Sequence, residues 1–163
     1  MTHSQRIFAE QKFVLLPNFV DKNTCASLAE NINTAIAEQR TKPDSQCPLS
    51  QGLYADLVYT KFLVTMLPKI ETAVGLKLYP TFSYARLYRP GEKLGAHFDR
   101  LASEIAVTIT LACDGSIWPI YIADKDETKS VPVKIGHADW EFWPTNICSC
   151  IVNIGDALIY RGN

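Results

Sequence analysis

Apolar residues recur at helical spacing in the first half of the chain and alternate along short segments in the second half. Phe13–Leu16 predicts a short strand that ends at Pro17. Apolar side chains then repeat every three or four positions over residues 25–36, which predicts an amphipathic helix. Asp21 or Asn23 can cap this helix, because a short side-chain oxygen accepts the free N–H groups of its first turn.

Prolines and a glycine divide the region that follows. Residues 41–51 hold two prolines and predict a loop. A second helix is expected over 54–66. Pro68 suits the start of another short helix, because its missing N–H is not needed in a first turn, and Gly75 can end that helix.

From Leu76 onward the sequence is typical of strands, rich in β-branched and aromatic residues and divided by Gly, Asp, Asn and Pro. Between Ile105 and Leu111, large apolar residues alternate with Ala and Thr, so one face should pack and the other should line a pocket. Helices followed by many short strands predict an α+β domain, with helices packed on a β-sandwich or barrel. The expected strands are 79–88, 104–112, 118–122, 131–135, 148–154 and 157–160.

Composition favours a single globular domain. The 163 residues are 47% hydrophobic and carry a net charge of −1, with no long Lys/Arg block, which argues against non-specific attraction to nucleic acid or anionic membrane. No signal peptide or bilayer-spanning apolar run is present, so we expect a cytoplasmic protein whose five cysteines are free thiols. Cys148-Ser149-Cys150 lacks the second Cys/His pair that a zinc site needs, and small buried thiols are the simpler interpretation.

His97-Phe98-Asp99 is the main candidate for chemistry. On a strand, an imidazole and a carboxylate two residues apart point to the same side. They are two of the three ligands that hold catalytic non-haem iron, and this donor set suits Fe(II), Mn(II) or Zn(II). The triplet alone also fits a surface His–Asp pair near a turn.

Three stretches, in order, make the triplet more specific. They are Tyr84–Arg100 (YARLYRPGEKLGAHFDR), Glu104–Leu111 (EIAVTITL) and Gly155–Gly162 (GDALIYRG). Together they resemble the 2-oxoglutarate- and Fe(II)-dependent dioxygenases, closest to the prolyl 4-hydroxylase-like branch. Phe13–Val20 is similar to that family's entry segment, so the likeness extends loosely from Phe13 to the end of the chain.

The resemblance implies a double-stranded β-helix, or jelly roll, with N-terminal helices that buttress one sheet. It implies that His97 and Asp99 bind Fe(II), that Tyr88 and Arg86 lie on the 2-oxoglutarate side, and that Tyr84 and Arg100 lie on the substrate side. Such enzymes convert 2-oxoglutarate and dioxygen to succinate and carbon dioxide while they hydroxylate a C–H bond, and ascorbate is a further cofactor to test. A protein side chain, an amino acid or a small metabolite would be the substrate.

The chain departs from the family pattern in three places. The family's distal histidine lies a few residues beyond the segment that matches Gly155–Gly162, and its basic residue for 2-oxoglutarate lies later still. Leu94 stands where many members carry a tyrosine, so Tyr88, Tyr84 or Arg86 would have to compensate.

Two other histidines are weaker candidates for the distal ligand. His137 precedes the Gly155-Asp156 segment and lies in a stretch that predicts a loop, and His3 lies in a terminus expected to fray. The chain ends inside the last motif, so residues 1–163 predict one jelly-roll domain that is truncated or disordered at its C-terminal end. The preferred explanation is a native chain that continues to the third ligand; a pseudoenzyme is the alternative.

Two further functions stay open. An alkylated nucleic-acid demethylase of the same superfamily shares the Tyr-x-Pro-Gly and His-x-Asp pattern, although near-neutral charge argues against a basic groove. A catalytically inactive jelly-roll binding module is the other, with Trp118, Trp140 and Trp143 available for an interface. The substrate loops are expected at 41–51 and 123–146, and neither reveals a substrate.

Overall fold

The computed structural model of this chain describes residues 1–43, 46–95, 97–123 and 147–162. Three helices and seven strands lie within these ranges, and the helices precede most of the strands, as the α+β prediction requires. In chain order they are α1 (His3–Gln11), β1 (Phe13–Leu16), α2 (Lys22–Ala37), β2 (Gln51–Tyr54), α3 (Leu57–Val74), β3 (Tyr84–Leu87), β4 (Ile105–Ile109), β5 (Pro119–Ala123), β6 (Ile147–Ile151) and β7 (Ala157–Arg161).

The described strands form three antiparallel sheets. The largest has the order β1-β7-β4, and its register pairs Val14 with Ile159 and Val107 with the same residue. The other two are the pairs β2-β3 and β5-β6. Because these sheets are separate in the described part of the chain, closure into a complete jelly roll stays a prediction.

The two faces of the β1-β7-β4 sheet meet different neighbours. Ala157 and Ile159 of β7 are fully buried against the helices, with Val107 and Ile109 of β4 packed beside them. Leu158 faces the opposite way and packs with Cys150 and Val152, together with side chains of β5. The alternation predicted along β4 is therefore confirmed on its packed side, and the molecule is layered as helices, sheet and then the β5-β6 pair.

The helices begin where short acidic side chains accept backbone N–H groups. Asp21 caps α2 through the N–H of Thr24, as predicted, and Asp56 caps α3. The prediction of a separate helix from Pro68 is wrong, because α3 continues through Pro68 to Gly75. Apolar residues on both sides of Pro68, among them Phe62 and Ile70, pack on the same core cluster, and this burial outweighs the one backbone hydrogen bond that proline removes.

Two elements of the first half differ from the predictions. Residues expected to fray form α1, where Thr2 and Gln5 make a reciprocal capping box and Phe8 is buried. His3 is therefore the first residue of a helix. The expected start of a helix at Tyr54 is also wrong, since that residue ends β2, which pairs with β3.

A tight turn at Gly155-Asp156 ties the N-terminal segment to the last strand. Gly155 has φ +86°, and a Cβ there would collide with the carbonyl oxygen of Val20, so only glycine fits. The Asp156 carboxylate is buried and accepts hydrogen bonds from the backbone N–H groups of Asn18 and Asn153 and from the side-chain amide of Asn153. The Gly-Asp motif therefore has a structural role here.

Several sequence predictions lie outside the described residues. They are the strand 131–135, the His137-Ala138-Asp139 triplet, Trp140, Trp143 and most of the loop 123–146. No helix in the part of the chain that the structure describes has both the length and the apolar character to cross a membrane.

Candidate metal centre

The His97–Asp99 segment lies against the end of β7. The N–H of Asp99 donates to the carbonyl oxygen of Gly162 at 2.6 Å, and the N–H of Gly162 donates to Glu104 at 3.1 Å. A Cβ on Gly162 would lie 2.6 Å from Asp99 Oδ2, so the absence of a side chain there lets the carboxylate sit against the backbone. The prediction that His97 and Asp99 lie on a strand is wrong, because their segment is irregular and is held by these contacts with Gly162.

The two side chains nevertheless face each other. His97 Nε2 lies 3.4 Å from Asp99 Oδ1, and both side chains are about one-quarter exposed, at 27% and 25%. His97 Nδ1 lies 2.8 Å from the carbonyl oxygen of Gly95. A carbonyl can only accept, so Nδ1 carries a proton. Nε2 then donates to Asp99 when the ring is protonated and offers its lone pair to a metal ion when the ring is neutral.

This donor arrangement fits a divalent metal. Two ligands at about 2.1 Å from one ion and at right angles to each other are about 3 Å apart, close to the observed separation. A backbone carbonyl that fixes the tautomer and orientation of a histidine is the usual second partner of a metal-bound imidazole. One imidazole and one carboxylate belong to the ligand set of non-haem Fe(II) sites, so His97 and Asp99 are suited to hold such an ion.

Nearby charges act on both His97 and the tyrosine that flanks the pair. The hydrogen bond to Asp99 raises the pKa of His97; burial opposes it, the carbonyl of Gly95 adds to it, and the positive charge of Arg86 lowers it. Burial and then the negative charge of Asp99 raise the pKa of Tyr160, while a hydrogen bond to Thr108 opposes them. Arg86, His97, Asp99 and Tyr160 are thus electrostatically coupled at one site.

Arg86 and Tyr88, predicted for the 2-oxoglutarate side, lie together on the wall beside His97. The guanidinium Nη1 of Arg86 donates to Tyr88 Oη at 3.1 Å and lies 3.4 Å from Cys47 Sγ. Burial alone would lower the pKa of Arg86, but the interactions with Tyr88 and Tyr84 raise it, so the residue stays positively charged. A fixed guanidinium beside His97 and Asp99 is a suitable partner for the carboxylate of a bound ligand.

Arg100 and Tyr84, predicted for the substrate side, flank a second part of the same cleft. The guanidinium of Arg100 lies over the rings of Phe82 and Tyr54, at 5.4 and 5.9 Å from their centres. These two rings stack with centres 5.4 Å apart, and Tyr84 lies 6.5 Å from Tyr54 on the other side. We call Tyr54, Phe82, Tyr84 and Arg100 the aromatic platform.

The third metal ligand has no candidate within the described residues. No group of three or more His, Cys, Asp or Glu side chains there could hold a metal ion. His3 lies on α1 and contacts Arg6, while His137 lies outside the described ranges. Leu94, which replaces a tyrosine of the family pattern, also lines the cleft.

Sequence reasoning missed three neighbours of the site. Tyr160 enters the sequence resemblance only as part of a matching strand, although its alternation with Ile159 places it on the face opposite the helices. Trp118 lies 4.8 Å, ring centre to ring centre, from Tyr88. Cys47 contacts Arg86 across the fold, and no signal in the sequence joins these two positions.

Comparison with known proteins supports the fold. No protein-family model matches the chain, and no curated protein matches it. A crystal structure of a prolyl-4-hydroxylase from Pseudomonas putida matches with a TM-score of 0.64 over 98% of this chain and 85% of that one, at 15% sequence identity. The chain therefore shares, over nearly its whole length, the fold of a solved prolyl-4-hydroxylase.

Proposed function

We propose that this protein is a 2-oxoglutarate- and Fe(II)-dependent dioxygenase that hydroxylates a C–H bond. The observation that carries the proposal is the pair His97 Nε2 and Asp99 Oδ1, 3.4 Å apart, with the imidazole tautomer fixed by Gly95. The fold shared with a prolyl-4-hydroxylase supports the same reaction class, although the low identity leaves the substrate open. The iron would supply oxidation of the substrate by dioxygen, coupled to the decarboxylation of 2-oxoglutarate.

In this proposal the protein holds and orients the reactants. Arg86 provides a positive charge that pairs with a carboxylate of 2-oxoglutarate, and it compensates for the tyrosine that Leu94 replaces in the family pattern. Tyr88 keeps that guanidinium in place through its hydroxyl, and its contact with Trp118 covers one side. Arg86 is half-buried, so its interaction with an anion is less screened than at the surface.

The third ligand is proposed to come from outside the described residues. Support comes from the end of β7, where the carbonyl of Gly162 accepts from the N–H of Asp99. Because Gly162 has no side chain, the Asp99 carboxylate can lie against its backbone. Any residues beyond those described would therefore start beside His97 and Asp99. A histidine there would complete the facial set of two histidines and one carboxylate.

The aromatic platform is the proposed substrate side. The exposed rings of Tyr54 and Tyr84 offer apolar faces, and Arg100 offers a positive charge one residue from Asp99. An amino acid, a peptide or a small metabolite that carries an anionic group fits this surface. The same stacked rings favour the second candidate, an alkylated nucleic-acid demethylase, because an extruded base stacks on aromatic faces.

The proposal is tested by 2-oxoglutarate turnover in the full native chain with Fe(II) and ascorbate. We expect slow release of succinate without substrate and its loss in His97→Ala and Asp99→Ala. Asp114→Ala, which removes an exposed carboxylate that interacts with Ser116, is the matched control and should keep the activity. Absence of succinate from a folded, iron-loaded sample would refute both enzymatic candidates and leave the binding module.

A panel of substrates separates the two enzymatic candidates. Amino acids and peptides should raise succinate release if the protein is a hydroxylase of such compounds. Stimulation by an alkylated single-stranded oligonucleotide alone would instead identify the demethylase. Arg86→Lys, which keeps the charge and loses the planar fork, should raise the KM for 2-oxoglutarate more than it changes kcat.

A further inference from the structure

Two cysteines of β6 form a close thiol pair. Cys148 and Cys150 lie on the same face of the strand, and their sulfur atoms are 3.9 Å apart. In the register with β5 they stand opposite Ile122 and Ile120. The sulfurs are thus in direct contact without a covalent bond.

The two thiols differ in their access to solvent. Cys148 is exposed, whereas Cys150 is only 6% exposed and packs against Val152, Leu158 and the ring of Tyr160. Burial, and then the neighbouring Cys148, raise the pKa of Cys150 to about 11, so this thiol is protonated at neutral pH. An exposed thiol beside a protected one is the arrangement of a reactive cysteine with its resolving partner.

We propose that Cys148 and Cys150 are a peroxide-oxidised modification site that closes to a reversible intrachain disulfide. Cys148 attacks a hydroperoxide, here hydrogen peroxide, to give a sulfenic acid and one molecule of water. The sulfur of Cys150 then displaces the sulfenic hydroxyl, which leaves with the thiol proton as a second molecule of water. The two thiols together lose two electrons, which reduce one peroxide.

Strand geometry makes this disulfide easy to reduce. Two positions along a strand are about 6.6 Å apart between Cα atoms, at the upper limit of the range that disulfides tolerate. Among the described strands β6 pairs only with β5, so its other edge can bend to bring the sulfurs together. A bond formed under this strain is more readily reduced than a relaxed structural disulfide, so the modification is reversible.

The other cysteines provide internal controls. Cys113 is exposed and has no thiol neighbour among the described residues, so peroxide can oxidise it but cannot pair it. Cys25 and Cys47 are buried, at 0% and 1% exposure, and are shielded from the reagent. The proposal does not depend on the dioxygenase activity.

The test treats the reduced full chain with a small excess of hydrogen peroxide and counts free thiols after denaturation. In Cys113→Ser, which lacks the other exposed thiol, we expect the count to fall from four toward two and to return after dithiothreitol. In mass spectrometry, the peptide that holds both cysteines should lose two hydrogens and resist alkylation. In Cys150→Ser, Cys148 should instead progress to sulfinic acid, which dithiothreitol does not reverse.

The control variant removes Cys113, the exposed thiol outside the pair. Cys113→Ser should form the Cys148–Cys150 disulfide as fast as the parent chain does. The proposal is overturned if Cys148 and Cys150 remain separately alkylatable after peroxide. It is equally overturned if Cys148 is oxidised to the same irreversible product with and without Cys150. Alkylation of Cys148 and Cys150 is measured in the parent chain, so this result does not depend on the folding of a variant.

Discussion

Replacement of Asp156 by alanine tests whether the Gly-Asp motif has a structural role. The carboxylate is 5% exposed and accepts from Asn18 N at 2.9 Å, Asn153 N at 3.1 Å and Asn153 Nδ2 at 3.0 Å. A hydrogen bond to a charged group contributes about 1.5–3 kcal/mol, and the loss leaves buried N–H groups unsatisfied. Because these bonds share one acceptor and do not add fully, we expect Asp156→Ala to cost about 3–5 kcal/mol.

Urea unfolding followed by circular dichroism measures this loss. With a slope of about 2 kcal/mol per molar urea, the midpoint should fall by about 2 M, and the slope itself should not change. Asp114→Ala is the control, because that carboxylate is exposed and its removal should leave the midpoint nearly unchanged. Equal midpoints for the two variants, or a loss of metal affinity in Asp156→Ala without a loss of stability, would refute the structural role.

Three more substitutions test the packing and the site. Gly155→Ala should lower the free energy of unfolding by more than about 2 kcal/mol in the same urea assay, because the new Cβ meets the carbonyl of Val20 at a positive φ; an unchanged midpoint would contradict this. Gly162→Ala should weaken Fe(II) or Mn(II) binding measured by calorimetry, because its Cβ would lie 2.6 Å from Asp99 Oδ2. An unchanged affinity would argue against Asp99 as a metal ligand. Pro68→Ala should raise the free energy of unfolding by about 1–2 kcal/mol, because it restores a helical N–H at a modest cost in unfolded-state entropy. A lower midpoint would show that the proline ring itself is needed.

Local patterns in the sequence were sufficient to predict several elements. Phe13–Leu16 is a strand, Asp21 caps α2, and the apolar positions of β4 pack on the helices, because each of these depends on nearby residues and side-chain periodicity. The pattern failed where tertiary contacts decided the outcome. Pro68 lies inside a helix whose two halves share one core, and residues 3–11 form a helix although they carry few apolar side chains.

The candidate site was partly visible in the sequence for a related reason. His97 and Asp99 are close in the chain, so their proximity followed from spacing even though the expected strand is absent. The position of Arg86 beside His97, and of Tyr160 beside Asp99, depends on how separate strands meet in the fold. Spacing along a single chain carries no information about such contacts.

The pairing of β1 with β7 has a consequence for how the protein folds. Among the described strands, β1 pairs only with β7, and the bond from Asn18 to Asp156 joins residues 138 positions apart. Closing such a long loop costs entropy before the contact gives any return, which slows folding. During synthesis Phe13–Leu16 must wait, with an unpaired edge, until β7 has been made. Slow translation or a long N-terminal fusion should therefore favour aggregation of nascent chains, whereas chaperones that protect exposed strands should raise the yield.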